Sequence, residues 1–143
     1  MMKIKPFLRK ANYYETDKMG IIHHSNYIRW FEEARLDFLE QAGFSYEHME
    51  EIGLQIPVLS AACNYKNAVR FNDTVCIKMR IEEFNGFKFT VSYTVTDAKT
   101  DELRATGETS HFFVDSNMKP VRTKNSFPDV YKVFAESLKQ DIY

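Results

Sequence analysis

Thr74-Val-Cys-Ile-Lys-Met-Arg-Ile-Glu-Glu-Phe-Asn-Gly-Phe-Lys-Phe-Thr-Val-Ser-Tyr-Thr-Val-Thr96 reads as two alternating runs joined by a turn dipeptide. Val75, Ile77, Met79 and Ile81 alternate with Thr74, Cys76, Lys78, Arg80 and Glu82. Phe87, Phe89, Val91, Tyr93 and Val95 then alternate with Lys88, Thr90, Ser92, Thr94 and Thr96. A period of two marks strands with one buried face, and Asn85-Gly86 tolerates the positive φ values that a tight hairpin demands. The pair is therefore an antiparallel hairpin. Working outward, residues 57–66 and 103–115 read as further strands, with Asp97–Asp101 a polar turn and Asn117-Met118-Lys119-Pro120 ending the last strand. Phe7–Tyr14 reads as a first strand.

Upstream of the hairpin the period changes. From Asn26 to Ala42, Tyr27, Trp30, Phe31, Ala34, Phe38 and Ala42 recur at helical spacing, opposite Arg29, Glu32, Glu33, Asp37 and Glu40. Ser25 or Asn26 suits the N-cap and Gly43 the left-handed position after the helix. Arg35 falls inside the apolar arc, where a guanidinium needs a partner, and a structural ion pair is the expectation. Ser45–Ile52 reads as a short helix capped by Ser45 and stopped by Gly53, and Ser126–Leu138 as a C-terminal helix capped by Ser126. Strands that follow one another without intervening helices favour an antiparallel sheet, so the class is α+β with the aromatic helix on one sheet face.

Composition narrows the function. A chain of 143 residues is expected to form a single domain, 1–143. Lys and Arg number 19 against 20 Asp and Glu, so no long-range charge favours nucleic acid or an anionic membrane. Met1–Lys10 lacks the apolar run of a signal peptide, and no stretch is long enough for a membrane span, which points to the cytoplasm. Cys63 and Cys76 form no metal or disulfide pattern and read as packed thiols. Aromatic residues make up 15 % of the chain, which suits either a large pocket or subunit contact, or a core rich in Phe.

One segment reads as a reactive site. Tyr13–Tyr27 places Asp17 and His24 either side of a bend at Gly20, just before the aromatic helix. Ile21-Ile22 can shield the loop from water, and a desolvated carboxylate is a better base or nucleophile. His24 at a helix start can present its ring or backbone N–H to a developing oxyanion. Adjacent His23 and His24 are expected to diverge, and without a third ligand nearby they do not read as a metal site. His23, His48 and His111 read as structural. Ser-hydrolase, nucleotide-loop and Rossmann motifs are absent.

Tyr13-Tyr14-Glu15-Thr16-Asp17 with Gly20-Ile21-Ile22, His24-Ser25-Asn26-Tyr27 and Phe31-Glu32-Glu33-Ala34-Arg35 together resemble the hotdog-fold acyl-CoA thioesterases of the 4-hydroxybenzoyl-CoA thioesterase superfamily, in particular its YbgC-like branch. The similarity continues through Phe71-Asn72-Asp73 and the hairpin to Val114-Asp115 and Lys119-Pro120-Val121. The resemblance implies a sheet wrapped around the long helix, assembled as a homodimer or homotetramer with active sites at subunit interfaces. It implies hydrolysis of an acyl-CoA or acyl-carrier-protein thioester, with no metal or redox cofactor. The essential carboxylate falls on Asp17, which attacks the thioester carbonyl or activates water, and the assisting groups fall on His24 and Tyr13. Backbone N–H groups at the helix start polarise the carbonyl. Lys88 matches a basic position that grips the CoA phosphates in some relatives. His23 stands where relatives commonly carry an aromatic residue, and Gln55-Ile56 replace a glycine turn that supplies a polarising N–H in others. The alternative is a non-catalytic module that binds an acyl-CoA or acyl-carrier-protein thioester. A hotdog dehydratase lacks support, because its His-Phe-Pro-Gly type of motif is absent.

Overall fold

The computed structural model describes residues 3–143; the first two residues of the expected 1–143 domain, and of the Met1–Lys10 segment, lie outside the described residues. The described residues form strand β1 (Phe7–Lys10), helices α1 (Ser25–Gln41) and α2 (Tyr46–Ile52), and strands β2 (Val58–Tyr65), β3 (Thr74–Phe84), β4 (Lys88–Asp97) and β5 (Leu103–Phe112). Helices α3 (Thr123–Ser126) and α4 (Pro128–Ser137) follow. The strands make one antiparallel sheet in the order β1-β3-β4-β5-β2. This is the α+β architecture expected of the hotdog fold.

The hairpin decides the sheet as its alternation requires. Val75, Ile77, Ile81, Val91 and Val95 are fully buried on one face, and α1 lays Trp30, Phe31, Ala34 and Phe38 into that core. Burying side chains of this size contributes about 1.5–3 kcal/mol each, so the seam between α1 and the sheet dominates stability. Phe31 stacks on Tyr93 at 4.3 Å, directly over Gly107 of β5. A Cβ at Gly107 would stand 2.3 Å from the Phe31 ring, so only glycine lets the ring lie this close to the sheet.

Several boundaries differ from the sequence reading. The hairpin loop has three residues, with a positive φ at Gly86 but not at Asn85. Asn85 instead uses its Oδ1 to accept from the backbone N–H of Phe87 (2.9 Å) and Lys88 (2.7 Å). The first strand stops at Lys10, and Tyr13–Glu15 turns as a 3-10 helix because Glu15 is drawn inward. The C-terminal helix is broken at Phe127, where Pro128 opens α4 without an N–H to continue the preceding turn. No helix among the described residues is long and apolar enough to cross a membrane.

Candidate active site

The Tyr13–Tyr27 segment is held from below by a buried carboxylate. Glu15 is 5 % exposed. Its Oε1 accepts from Asn12 N–H (2.9 Å) and Arg9 Nη1 (3.0 Å), and its Oε2 from Arg9 Nη2 and Trp30 Nε1 (both 3.0 Å). Arg9 is held in turn by Glu33 of α1, at 2.7 Å from its Nε. The clamp ties β1, the segment and α1 together two residues before Asp17. Asn26, also buried, donates to the carbonyls of Glu15 (3.0 Å) and His23 (3.3 Å).

Above this clamp the chain doubles back. Thr16 pairs with Ile22, Asp17 N–H donates to the Ile21 carbonyl (2.8 Å), and Gly20 turns with φ 80°. Asp17 is half-exposed, and its Oδ1 accepts from the N–H groups of Met19 (2.8 Å) and Ile21 (3.4 Å). Its Oδ2 has no partner among the described residues. One oxygen is thus fixed by the turn while the other is available to react. Ile22 is buried beneath the loop and Ile21 pairs with Arg70 on the neighbouring loop.

His23 and His24 do not diverge as the sequence suggested. Their rings stack at 4.1 Å, because His23 Nδ1 accepts from both the N–H (3.2 Å) and the hydroxyl (2.9 Å) of Ser25. Ser25 and Asn26, the expected caps, both lie inside α1; His24 holds the N-cap position without a capping side chain, and the His23 ring takes the Ser25 N–H. The N–H groups of Asn26 and Tyr27 are taken by the His23 and His24 carbonyls (3.0 and 3.3 Å). Among the described residues, the N–H left without an acceptor at this helix entry is that of His24. The His24 ring is exposed, and its carbonyl accepts from the Tyr65 hydroxyl at the end of β2 (3.1 Å). Tyr27 is core: burial pushes its hydroxyl up to about 12.

Tyr13 is 73 % exposed and rests edge-on to Phe71 at 5.7 Å. Its hydroxyl makes no hydrogen bond to Asp17 within the protomer. Lys88, exposed, opens β4 opposite Phe112, whereas the Asp17 segment sits by the Val69–Asp73 loop at the other end of the sheet. Ten strand residues separate those ends by about 30 Å. Gln55 N–H is spent on the Val114 carbonyl (2.9 Å), so it polarises nothing.

A cavity of about 550 Å³ lies at the Lys88 end, between α1, α2 and the sheet. Phe38, Leu39, Phe44, Met49, Leu54 and Phe89 give it apolar walls, with Arg35 and Glu32 on the α1 side. The expected ion pair of Arg35 is not formed. Its Nη1 instead donates to the hydroxyls of Tyr93 (3.0 Å) and Thr109 (3.5 Å). Thr109 Oγ1 also lies 2.6 Å from the Tyr93 hydroxyl and 2.7 Å from His111 Nε2. His111 is fully buried against Phe89, and burial, reinforced by the Arg35 charge, pushes its pKa down to about 3. This polar cluster was not foreseen from sequence; Arg35 inside an apolar arc was its one visible sign.

The family model described as the thioesterase-like superfamily matches residues 12–137. The chain belongs to that superfamily. Among its relatives is a Bacillus subtilis protein provisionally named acyl-CoA thioesterase YneP, 33 % identical, covering 91 % of this chain and 94 % of that one. Another is an Aquifex aeolicus protein provisionally named an esterase, 43 % identical, covering 76 % of this chain and 85 % of that one. The crystal structure of DHNA-CoA thioesterase from Staphylococcus aureus superposes with a TM-score of 0.87 at 35 % identity, covering 94 % of this chain and 91 % of that one. The enzyme class, thioester hydrolase, agrees with the expectation from the Asp17–Tyr27 motif.

Proposed function

We infer that the protein hydrolyses an acyl-CoA thioester to a carboxylic acid and CoA, with Asp17 as the reacting carboxylate. The observation that carries this reading is the pairing, on one doubled-back segment, of a carboxylate with a free oxygen and a helix-entry N–H with no acceptor. His24 N–H polarises the thioester carbonyl. Asp17 Oδ2 either attacks the carbonyl carbon, expelling CoA thiolate and leaving an anhydride that water opens, or takes a proton from the attacking water. The His24 imidazole and the Tyr13 hydroxyl assist by holding water and substrate. A positioned base contributes ~10²–10⁴-fold and an oxyanion donor ~10²–10³-fold, sufficient for an activated thioester without any cofactor.

The site is completed by a second copy. Strand β2 is an edge strand whose Val58, Leu59 and Tyr65 are about half-exposed, at 51, 50 and 50 %. Such an edge is a template for pairing. Antiparallel pairing of two copies of β2 sets the Tyr65 end of one, which carries His24 and Asp17, beside the Val58 end of the other. The part of the cavity lined by Leu54, Gln55 and Ile56 travels with that Val58 end. The acyl group of a substrate at Asp17 then enters the partner's cavity, and the partner's Lys88 comes within range of the CoA phosphates.

Thiol release from a series of acyl-CoAs tests the reaction, and subunit mixing tests the shared site. Asp17→Ala and Ile56→Trp dimers, each inactive alone, are expected to regain about a quarter of wild-type activity after random exchange, because half the dimers hold one intact site. No recovery despite exchange would place Asp17 and its cavity in the same subunit.

A further inference from the structure

Arg35 holds donors that its partners do not use. It is half-buried on the cavity wall, and only its Nη1 is hydrogen-bonded. Among the described residues no carboxylate lies within ion-pair distance of it, and its Nε and Nη2 have no acceptor. Nor is the guanidinium needed to satisfy the hydroxyls beneath it, since Tyr93, Thr109 and His111 bond one another at 2.6 and 2.7 Å. A guanidinium offers five donors, and with only Nη1 bonded the remaining donors, on the wall of a largely apolar cavity, require water or an incoming acceptor. The carboxylates of Glu32 and Glu50, both exposed, stand on the same cavity and set its charge against a second anion.

We propose that Arg35 is a specificity-determining residue, and that the cavity selects acyl groups carrying a neutral oxygen acceptor, a hydroxyl or keto group, remote from the thioester. Hydrocarbon acyl groups of equal length displace water from Arg35 without replacing its hydrogen bonds, and a site that bonds a substrate oxygen discriminates strongly against the analogue that lacks it. Terminal carboxylates meet the repulsion of Glu32 and Glu50. The inference rests on the reading of the cavity as the acyl pocket.

The test is kcat/KM for octanoyl-CoA, for its hydroxy and keto derivatives with the oxygen moved along the chain, and for the ω-carboxylate of the same length. Wild type is expected to favour the oxygenated acyl group at one position or more by ~10-fold or more over octanoyl, with the carboxylate below both. In Arg35→Met that preference is expected to shrink to within ~2-fold, and Arg35→Lys to keep part of it, because lysine retains donors without the planar fork. Octanoyl as the best substrate against every derivative, a favoured carboxylate, or a preference that survives in Arg35→Met would each overturn the proposal. Turnover of other acyl-CoAs but of none of these would overturn the proposal and leave the hydrolase reading standing, whereas turnover of no acyl-CoA would overturn the hydrolase reading. Should Arg35→Met fail to fold, the wild-type series and Arg35→Lys still decide.

Discussion

Replacing Glu15 by Gln keeps the shape of the clamp beneath Asp17 and changes one acceptor oxygen into a donor. If the amide nitrogen takes the Oε1 place, it faces Asn12 N–H and Arg9 Nη1; in the Oε2 place it faces Arg9 Nη2 and Trp30 Nε1. Either way two donors lose their acceptor, one of them on a guanidinium. A buried donor left unpaired costs ~1–3 kcal/mol, and Arg9 keeps its bond to Glu33, so the loss is set at about 3 kcal/mol. For a domain of this size each kcal/mol lowers Tm by ~2–4 °C, giving a fall of ~6–12 °C. Calorimetry or urea unfolding at neutral pH measures it. A second variant, Trp30→Phe, removes the indole donor together with part of the buried ring, and a double-mutant cycle with Glu15→Gln, which cancels the packing loss, should show coupling of ~0.5–3 kcal/mol. A Tm within ~2 °C of wild type for Glu15→Gln would refute the clamp.

Three further outcomes follow from the packing. Gly107→Ala forces Phe31 off its stack with Tyr93 and is expected to destabilise by ~1–3 kcal/mol, read by urea unfolding; an unchanged midpoint would show that the ring moves freely. His111 is held neutral with its folded pKa at about 3, below the ordinary 6.5, so the unfolded chain binds the extra proton between those values and stability falls as pH drops through that window. Its share is up to ~1.4 kcal/mol per pH unit, so His111→Phe should show a shallower loss of stability between neutral and mildly acid pH than wild type. Tyr143→Phe strips the acceptor from Met79 N–H, bonded at 2.8 Å, and should cost ~1–3 kcal/mol with activity retained per folded molecule.

What sequence disclosed depended on how local its cause was. The β3–β4 hairpin and α1 follow from side-chain period, Ser45 caps α2 by accepting from His48 N–H at 3.2 Å, and Gly53 closes it with φ 70°. The clustering of Asp17, Gly20 and His24 before the helix singled out their segment, and the family motif fell on the same residues. Glu15 lay inside the quoted motif, yet its role depends on Arg9 and Trp30, brought together only by the packing of β1 on α1. The partners of Arg35, Tyr93 and Thr109, lie 58 and 74 residues away, so its ion pair was expected where hydroxyls stand. Ser25 lies inside the helix rather than capping it, because the helix starts one residue earlier than expected, with His24 at the N-cap position and the His23 ring accepting from Ser25 N–H. Lys88 was placed in sequence beside the hairpin, but strand length sets it at the far end of the sheet from Asp17.

The most direct test of the account is kcat/KM of Asp17→Asn, shown by its circular dichroism and Tm to be folded, on a thioester that wild type turns over. The account predicts a fall of at least ~10²-fold, because the reacting oxygen is lost while the turn that Oδ1 caps is kept. An unchanged kcat/KM would contradict it and remove Asp17 from the chemistry.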